Sequence, residues 1–299
     1  MSKIRSYVLP IAMILGLMLH EWCALFNVAT PILIFAILLL NFAPTKVKKL
    51  KVEGLDVFIA SFQILVSLGG YIIIKWMSGN EIIAQGFMNG VLCPVAASVA
   101  VVSCLLGANR ERVVTYTLIG NMLIAVVAPV IFSFIGIQQN VLFVSSFCSI
   151  FMKIGSTIAL PLMIAILMHR FTPKLNEIVC RYKDWSFYMW AIVLLLTLGK
   201  TFDSIILHWE GNMLNILILG ILSLIMCGVQ FGLGKYVGSK YGDTIAGGQL
   251  LGQKNAAVGI WMANNYLNPL AAVFLAFYSI WQNVFNSWQM WRFDRKNRK

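Results

Sequence analysis

Charge is scarce in this chain, and acidic charge scarcest of all. Only 11 of 299 residues are Asp or Glu and 23 are Lys or Arg, so charged residues make up 11% of the sequence against 60% hydrophobic. A water-soluble domain carries about 25% charged residues, and surface-to-volume scaling leaves far too much apolar side chain here for water to cover. The apolar stretches therefore face lipid. Three histidines lie far apart, and the six cysteines, Cys23, Cys93, Cys104, Cys148, Cys180 and Cys227, include no C-x-x-C pair, so neither a metal cluster nor a disulfide framework is indicated. Low-complexity tracts are absent. The net charge of +12 does not describe a nucleic-acid surface, because Lys and Arg stand in short clusters between apolar runs instead of forming one patch.

What is there is a series of apolar runs near the ~20 residues that a helix needs to cross a hydrocarbon core. Ten can be counted, at 7–19, 23–42, 55–76, 81–106, 113–135, 141–168, 187–207, 213–236, 243–265 and 269–291. The expected fold is an all-α polytopic membrane protein. Lys3 and Arg5, Lys46, Lys48, Lys49 and Lys51, Arg110 and Arg112, Arg170, Lys174, Arg181 and Lys183, Lys235 and Lys240, and Arg292, Arg295, Lys296, Arg298 and Lys299 all fall on one side of these spans. The opposite loops carry mainly Glu21, Glu81, His208 and Glu210. Basic loops stay cytoplasmic, which places both termini in the cytoplasm of a cell (inner) membrane and requires an even number of spans. No small-x-small cleavage site precedes His20 and Glu21, so the first span is read as retained.

Ten spans divide into two sets of five, residues 1–139 and 140–299, and because five is odd, two similar halves sit upside down relative to one another. Secondary transporters built as inverted repeats mark their site with interrupted helices in corresponding positions. The fourth span of each half carries the expected interruption. Pro94 falls 13 residues past Glu81, roughly 20 Å along the helix, and removes an amide donor there. Span nine gathers Gly247, Gly248 and Gly252 around Gln249, Gln253, Lys254 and Asn255, a composition tolerated at membrane depth only inside protein or beside a wet cavity. Lys254 lies 11 residues past Asp243, about 16 Å into the membrane, beyond easy snorkelling. It is read as a site residue, with capping of carbonyls freed by the broken helix as the structural alternative.

Further polar residues fall within the spans. Lys153, near mid-depth in span six, reads equally as cavity lining or as a structural partner, and Lys200 as a local pair with Asp203 on the same helical face. Thr117 and Asn121 share one face of span five, with hydroxyl bonding to its own helix as the alternative for Thr117. Gln63, Gln282 and Asn283 suit a site or interhelical bonds, and Gln230 and Asn286 read as interhelical glue.

Cys93-Pro94, Gly252-Gln253-Lys254-Asn255 and Tyr278-Ser279-Ile280-Trp281-Gln282-Asn283 together resemble the bile acid:sodium symporter family. The resemblance runs through all ten spans, with its sharp motifs in spans four, nine and ten. It implies a core unit of spans three to five and eight to ten, in which broken helices four and nine cross, and a panel of spans one, two, six and seven. It also implies alternating access carrying organic anions, either bile-acid-like or small carboxylates. Sodium-coupled members resemble E-x-G-x-Q-N in span nine, where this chain has Leu250, Gly252, Lys254 and Asn255, and their Ser-Asn pair of span four corresponds to Val99 and Ala100. An ammonium and a sodium ion about 4 Å apart repel by roughly 4 kcal/mol at an effective dielectric near 20. Lys254 is therefore expected to replace a sodium ion, so that sodium does not bind as in those relatives and proton coupling becomes available.

The expected function is secondary active transport of a small organic anion, without a cofactor and without enzymatic chemistry. No nucleophile with its base, acid/base pair or metal cluster faces the membrane interior. The alternative is a cation/proton exchanger of similar inverted-repeat build. Such exchangers need an intramembrane carboxylate, for which only Asp203 comes close.

Overall fold

The computed structural model describes residues 2–23, 25–26, 28–45, 50–136, 143–207 and 211–296. Lys46, Lys48, Lys49, Arg298 and Lys299 of the basic clusters, His208 and Glu210 of the opposite loops, the expected start of span six and the boundary between the two halves lie outside those residues. The described chain is all-helical. In order come α1 (Ser2–Met18), α2 (His20–Cys23), α3 (Ala29–Phe42), α4 (Gly54–Ser78), α5 (Glu81–Leu92), α6 (Val99–Leu105), α7 (Arg110–Ile135) and α8 (Phe143–Phe171). There follow α9 (Pro173–Arg181), α10 (Trp185–Leu207), α11 (Met213–Lys240), α12 (Thr244–Gly252), α13 (Ala256–Tyr266), a 3-10 turn (Pro269–Ala271) and α14 (Ala272–Lys296).

Among the described residues, five stretches are long and apolar enough to cross a membrane: Gly54–Ser78, Arg110–Ile135, Phe147–Phe171, Trp185–Asp203 and Met213–Lys240. Their outward faces carry large apolar side chains such as Leu65, Phe134 and Ile221. A protein in water does not hold so many on its surface, and the chain is a multi-pass membrane protein.

Local signals set where helices begin. Glu53 and Asp56 form a capping box at α4, and Gly79 ends that helix in the left-handed region at φ 64°, a conformation glycine adopts without strain. Asn80, Asn109, Asp243 and Asn255 each accept an amide of the first turn of α5, α7, α12 and α13. Between the ends of α5 and α12 and the starts of α6 and α13 the backbone is non-helical, over residues 93–98 and 253–255. Between the counted runs 141–168 and 187–207, Pro173–Arg181 forms α9, a helix too rich in polar residues to show as an apolar run. The helix in place of span two begins at Ala29 instead of residue 23.

α11 and α12 form a tight antiparallel pair, and α14 packs on α11, α13, α10 and α1. The glycines explain the first contact. A Cβ on Gly234 would come within 2.3 Å of the Gly247 carbonyl oxygen, and a Cβ on Gly247 within 2.3 Å of the Gly234 carbonyl oxygen. Only two bare backbones fit there.

Candidate functional site

Residues 93–98 and 253–255 meet back to back. Val95 and Lys254 form an isolated antiparallel bridge, the Asn255 amide donates to Pro94 O at 2.8 Å, and the Ala96 amide donates to Gln253 O at 3.3 Å. Proline supplies no amide, and glycines around 247–252 let helices close in, so the groups that the helices leave unpaired find partners across the crossing. α14 supplies a third strand-like edge through one side chain: Gln282 Oε1 accepts the Lys254 amide at 2.8 Å and Gln282 Nε2 donates to Lys254 O at 3.1 Å.

The Lys254 side chain is fully buried. Its Nζ donates to Val91 O at 3.0 Å, one of the last carbonyls of α5, where the helix dipole favours a cation. Around it, Gln63 Nε2 donates to Cys93 O at 3.3 Å while Tyr116 OH donates to Gln63 Oε1 at 2.6 Å. Ser98 Oγ donates to Gln253 Oε1 at 2.9 Å, Gln253 Nε2 donates to Gln249 Oε1, and Tyr278 OH donates to Gly252 O at 2.8 Å. Asn255 caps α13, with its Oδ1 accepting from Val258 at 3.3 Å.

A cavity of about 70 Å³ opens beside the crossing, several times the ~10–15 Å³ that one water occupies. Ala97, Ser98, Lys254, Asn255, Ala256 and Ala257 line one wall, Ser279, Gln282 and Asn283 of α14 another. Ile34 and Ile37 of α3 and Trp190, Val193, Leu194 and Thr197 of α10 close it from the far side. No carboxylate is among these lining residues. The N-terminal end of α13, with its positive end of the helix dipole, faces the space.

The structure thus brings Gln63, Pro94, Gln249, Gln253, Lys254 and Asn255 to one crossing and places Asn283 on the cavity wall. Leu250 is buried among apolar neighbours that include Val99 and Ala100, in one core cluster. Thr117 and Asn121 are buried on α7, but Thr117 donates to Val113 O at 2.7 Å and Asn121 to Thr117 O at 2.7 Å, each within its own helix. Asn121 Oδ1 is buried without a partner among the described residues. Lys153 does not join the cavity: it is exposed on α8, with its Nζ 5.6 Å from the centroid of the Trp261 ring. The local pair of Lys200 and Asp203 does not form either, because Asp203 pairs with His20 of α2. Spacing along one helix does not reveal a partner 183 residues away. Ser98, Trp190 and Thr197 line the site without having been singled out; a lone hydroxyl or indole in a span carries no signal of its own. Among the described residues no group of three His, Cys, Asp or Glu side chains could hold a metal, and all six cysteines are free.

No protein-family model matches the chain, and no curated protein aligns with it significantly.

Proposed function

We propose that this membrane protein is a secondary active transporter of small organic anions, built as ten spans in two inverted five-helix repeats. In this reading α5 with α6 and α12 with α13 are spans four and nine, each broken where it crosses the other. Spans three to five and eight to ten move as one unit against spans one, two, six and seven, in the manner of the bile acid:sodium symporters that the sequence resembles. Both termini lie in the cytoplasm of the cell membrane.

The observation that carries the proposal is the buried ammonium of Lys254 beside a cavity lined also by side chains of α3, α10, α13 and α14. A cation in a low-dielectric interior is retained where it meets an anion or replaces another cation. Lys254 does both in this mechanism. It holds the end of α5 in place of a sodium ion, and its field, with the positive end of α13, attracts a carboxylate into the cavity. Loss and regain of its proton couples transport to the proton gradient. The cavity is far smaller than the ~300–1,000 Å³ of sites that bury drug-sized ligands, which favours a small carboxylate over a sterol conjugate in this conformation.

Purified protein in liposomes tests the reading. Labelled small carboxylates are expected to enter down a proton gradient, to exchange against unlabelled substrate in counterflow, and to ignore sodium. Lys254→Met is expected to abolish uptake. Strict sodium dependence, or full uptake by that variant, overturns it.

A further inference from the structure

At the C-terminal ends of α11 and α14, two cations share one indole. Lys235 Nζ lies 5.9 Å from the centroid of Trp288 and Arg292 Cζ lies 5.5 Å from it. One turn along the same helix the pattern repeats, with Arg295 Cζ 5.5 Å from the Trp291 centroid. The lysine cannot swing away freely. Its stem runs along Gly248 of α12, where a Cβ would come within 2.5 Å of Lys235 Cγ. Lys235 and Arg292 take no part in the contacts of His20 with Asp203, Lys75 with Glu81 and Arg112 with Glu53. Asp294 follows Arg292 by two residues, a spacing that turns it to another side of the helix.

Two like charges near one ring repel one another, and an anion that reaches both relieves that repulsion. Their donors suit a phosphate: an ammonium offers three N–H groups and a guanidinium a planar fork of five. The setting names the phosphate's source. Trp288 and Trp291 are 46% and 45% exposed near the end of α14, beside the apolar α11, a placement that tryptophans take level with lipid headgroups. Basic pockets between helices at this level bind anionic headgroups, and each Lys or Arg there adds about fivefold to the attraction.

We propose that Lys235, Trp288 and Arg292 form a binding site for the phosphate of an anionic phospholipid headgroup. The site clamps α11 to α14 and, through the lysine stem, to α12, which leads to Lys254. It stands whether or not the transport reading does, because it needs only the membrane.

The test is thermal unfolding of the purified full chain titrated with phosphatidylglycerol, with phosphatidylcholine, or with inorganic phosphate. Phosphatidylglycerol is expected to raise the midpoint by several degrees while the other two leave it in place. The double variant Lys235→Gln, Arg292→Gln is expected to weaken the apparent lipid affinity roughly 30-fold. Lys235→Arg, which keeps the charge, and Lys240→Gln, which removes a cation stacked on Tyr236 instead, are expected to respond like the parent. Equal shifts with phosphatidylcholine overturn the proposal, as does an unchanged affinity in the double variant. Reproduction of the shift by inorganic phosphate assigns the site to a free anion and overturns it too.

Discussion

The ammonium of Lys254 donates to the carbonyl oxygen of Val91 at 3.0 Å, so a residue late in the chain closes the end of a helix formed early in it. That contact is a poor bargain for stability. A charge-assisted bond contributes about 1.5–3 kcal/mol and a helix end up to ~2 kcal/mol, whereas removing an ion from water costs several kcal/mol. Lys254→Met, of similar length, is therefore expected to leave the unfolding midpoint unchanged or to raise it, while uptake is lost. A midpoint that falls by several degrees would make the amine a structural cap and remove the reason to assign it a role in transport.

Gln282 pairs with Lys254 as a neighbouring strand would, accepting from its amide at 2.8 Å and donating to its carbonyl at 3.1 Å. Gln282→Leu leaves the Lys254 amide buried and unpaired, while the Lys254 carbonyl keeps the Ala256 amide at 3.0 Å. An unpaired buried group costs about 1–3 kcal/mol, and a loss of that size is expected from denaturant titration of the purified protein. Asn283 is the comparison: its side chain only donates to Ser279 O in its own helix, and Asn283→Ala is expected to cost less than about 1 kcal/mol. Equal losses at the two positions would show that the pairing across the crossing is no stronger than a bond within one helix.

The long apolar helices were legible because lipid demands length and hydrophobicity, and α4, α7, α8, α10 and α11 all fall on counted runs. Pro94 falls in the non-helical stretch 93–98 that follows α5, whereas Gly247, Gly248 and Gly252 stay within α12 and serve its contact with α11. What a sequence of this kind withholds is direction and distance. Depth along α8 placed Lys153 near the middle of a span, yet only packing decides that it turns outward to Trp261 instead of into the cavity. Asp203 three residues after Lys200 suggested a pair, and the fold offered His20 instead. Gln230 and Asn286, read as glue between helices, are buried with both side-chain polar atoms unpartnered among the described residues.

The contact of α11 with α12 should tolerate no methyl group. A Cβ on Gly234 meets backbone, not a side chain that can rotate away, and the same holds at Gly247. Gly234→Ala and Gly247→Ala are expected to destabilise by about 1–3 kcal/mol, the cost of overpacking, read from unfolding midpoints in detergent. At Gly232 of the same helix a Cβ would touch nothing within 4 Å, so Gly232→Ala is expected to stabilise by roughly 0.5–1 kcal/mol through helix propensity. Matching effects at 232 and 234 would mean that the helices are not held at backbone contact.

Filling the cavity separates a site from a packing defect. Ala257 lines the space next to Asn255, on the first turn of α13, and its side chain is only partly buried. Leucine there would occupy much of the room. If the space is an unfilled void, the added apolar contact is worth about 0.8 kcal/mol per buried methylene, and Ala257→Leu raises the midpoint without consequence for activity. If anions bind there, the same substitution stabilises or leaves the fold unchanged while uptake and any substrate-induced rise in midpoint disappear together. The second outcome is expected, measured by parallel uptake and thermal shift with the best small carboxylate. Retention of both by a folded Ala257→Leu protein would move the substrate away from the crossing and leave Lys254 without an anion to meet.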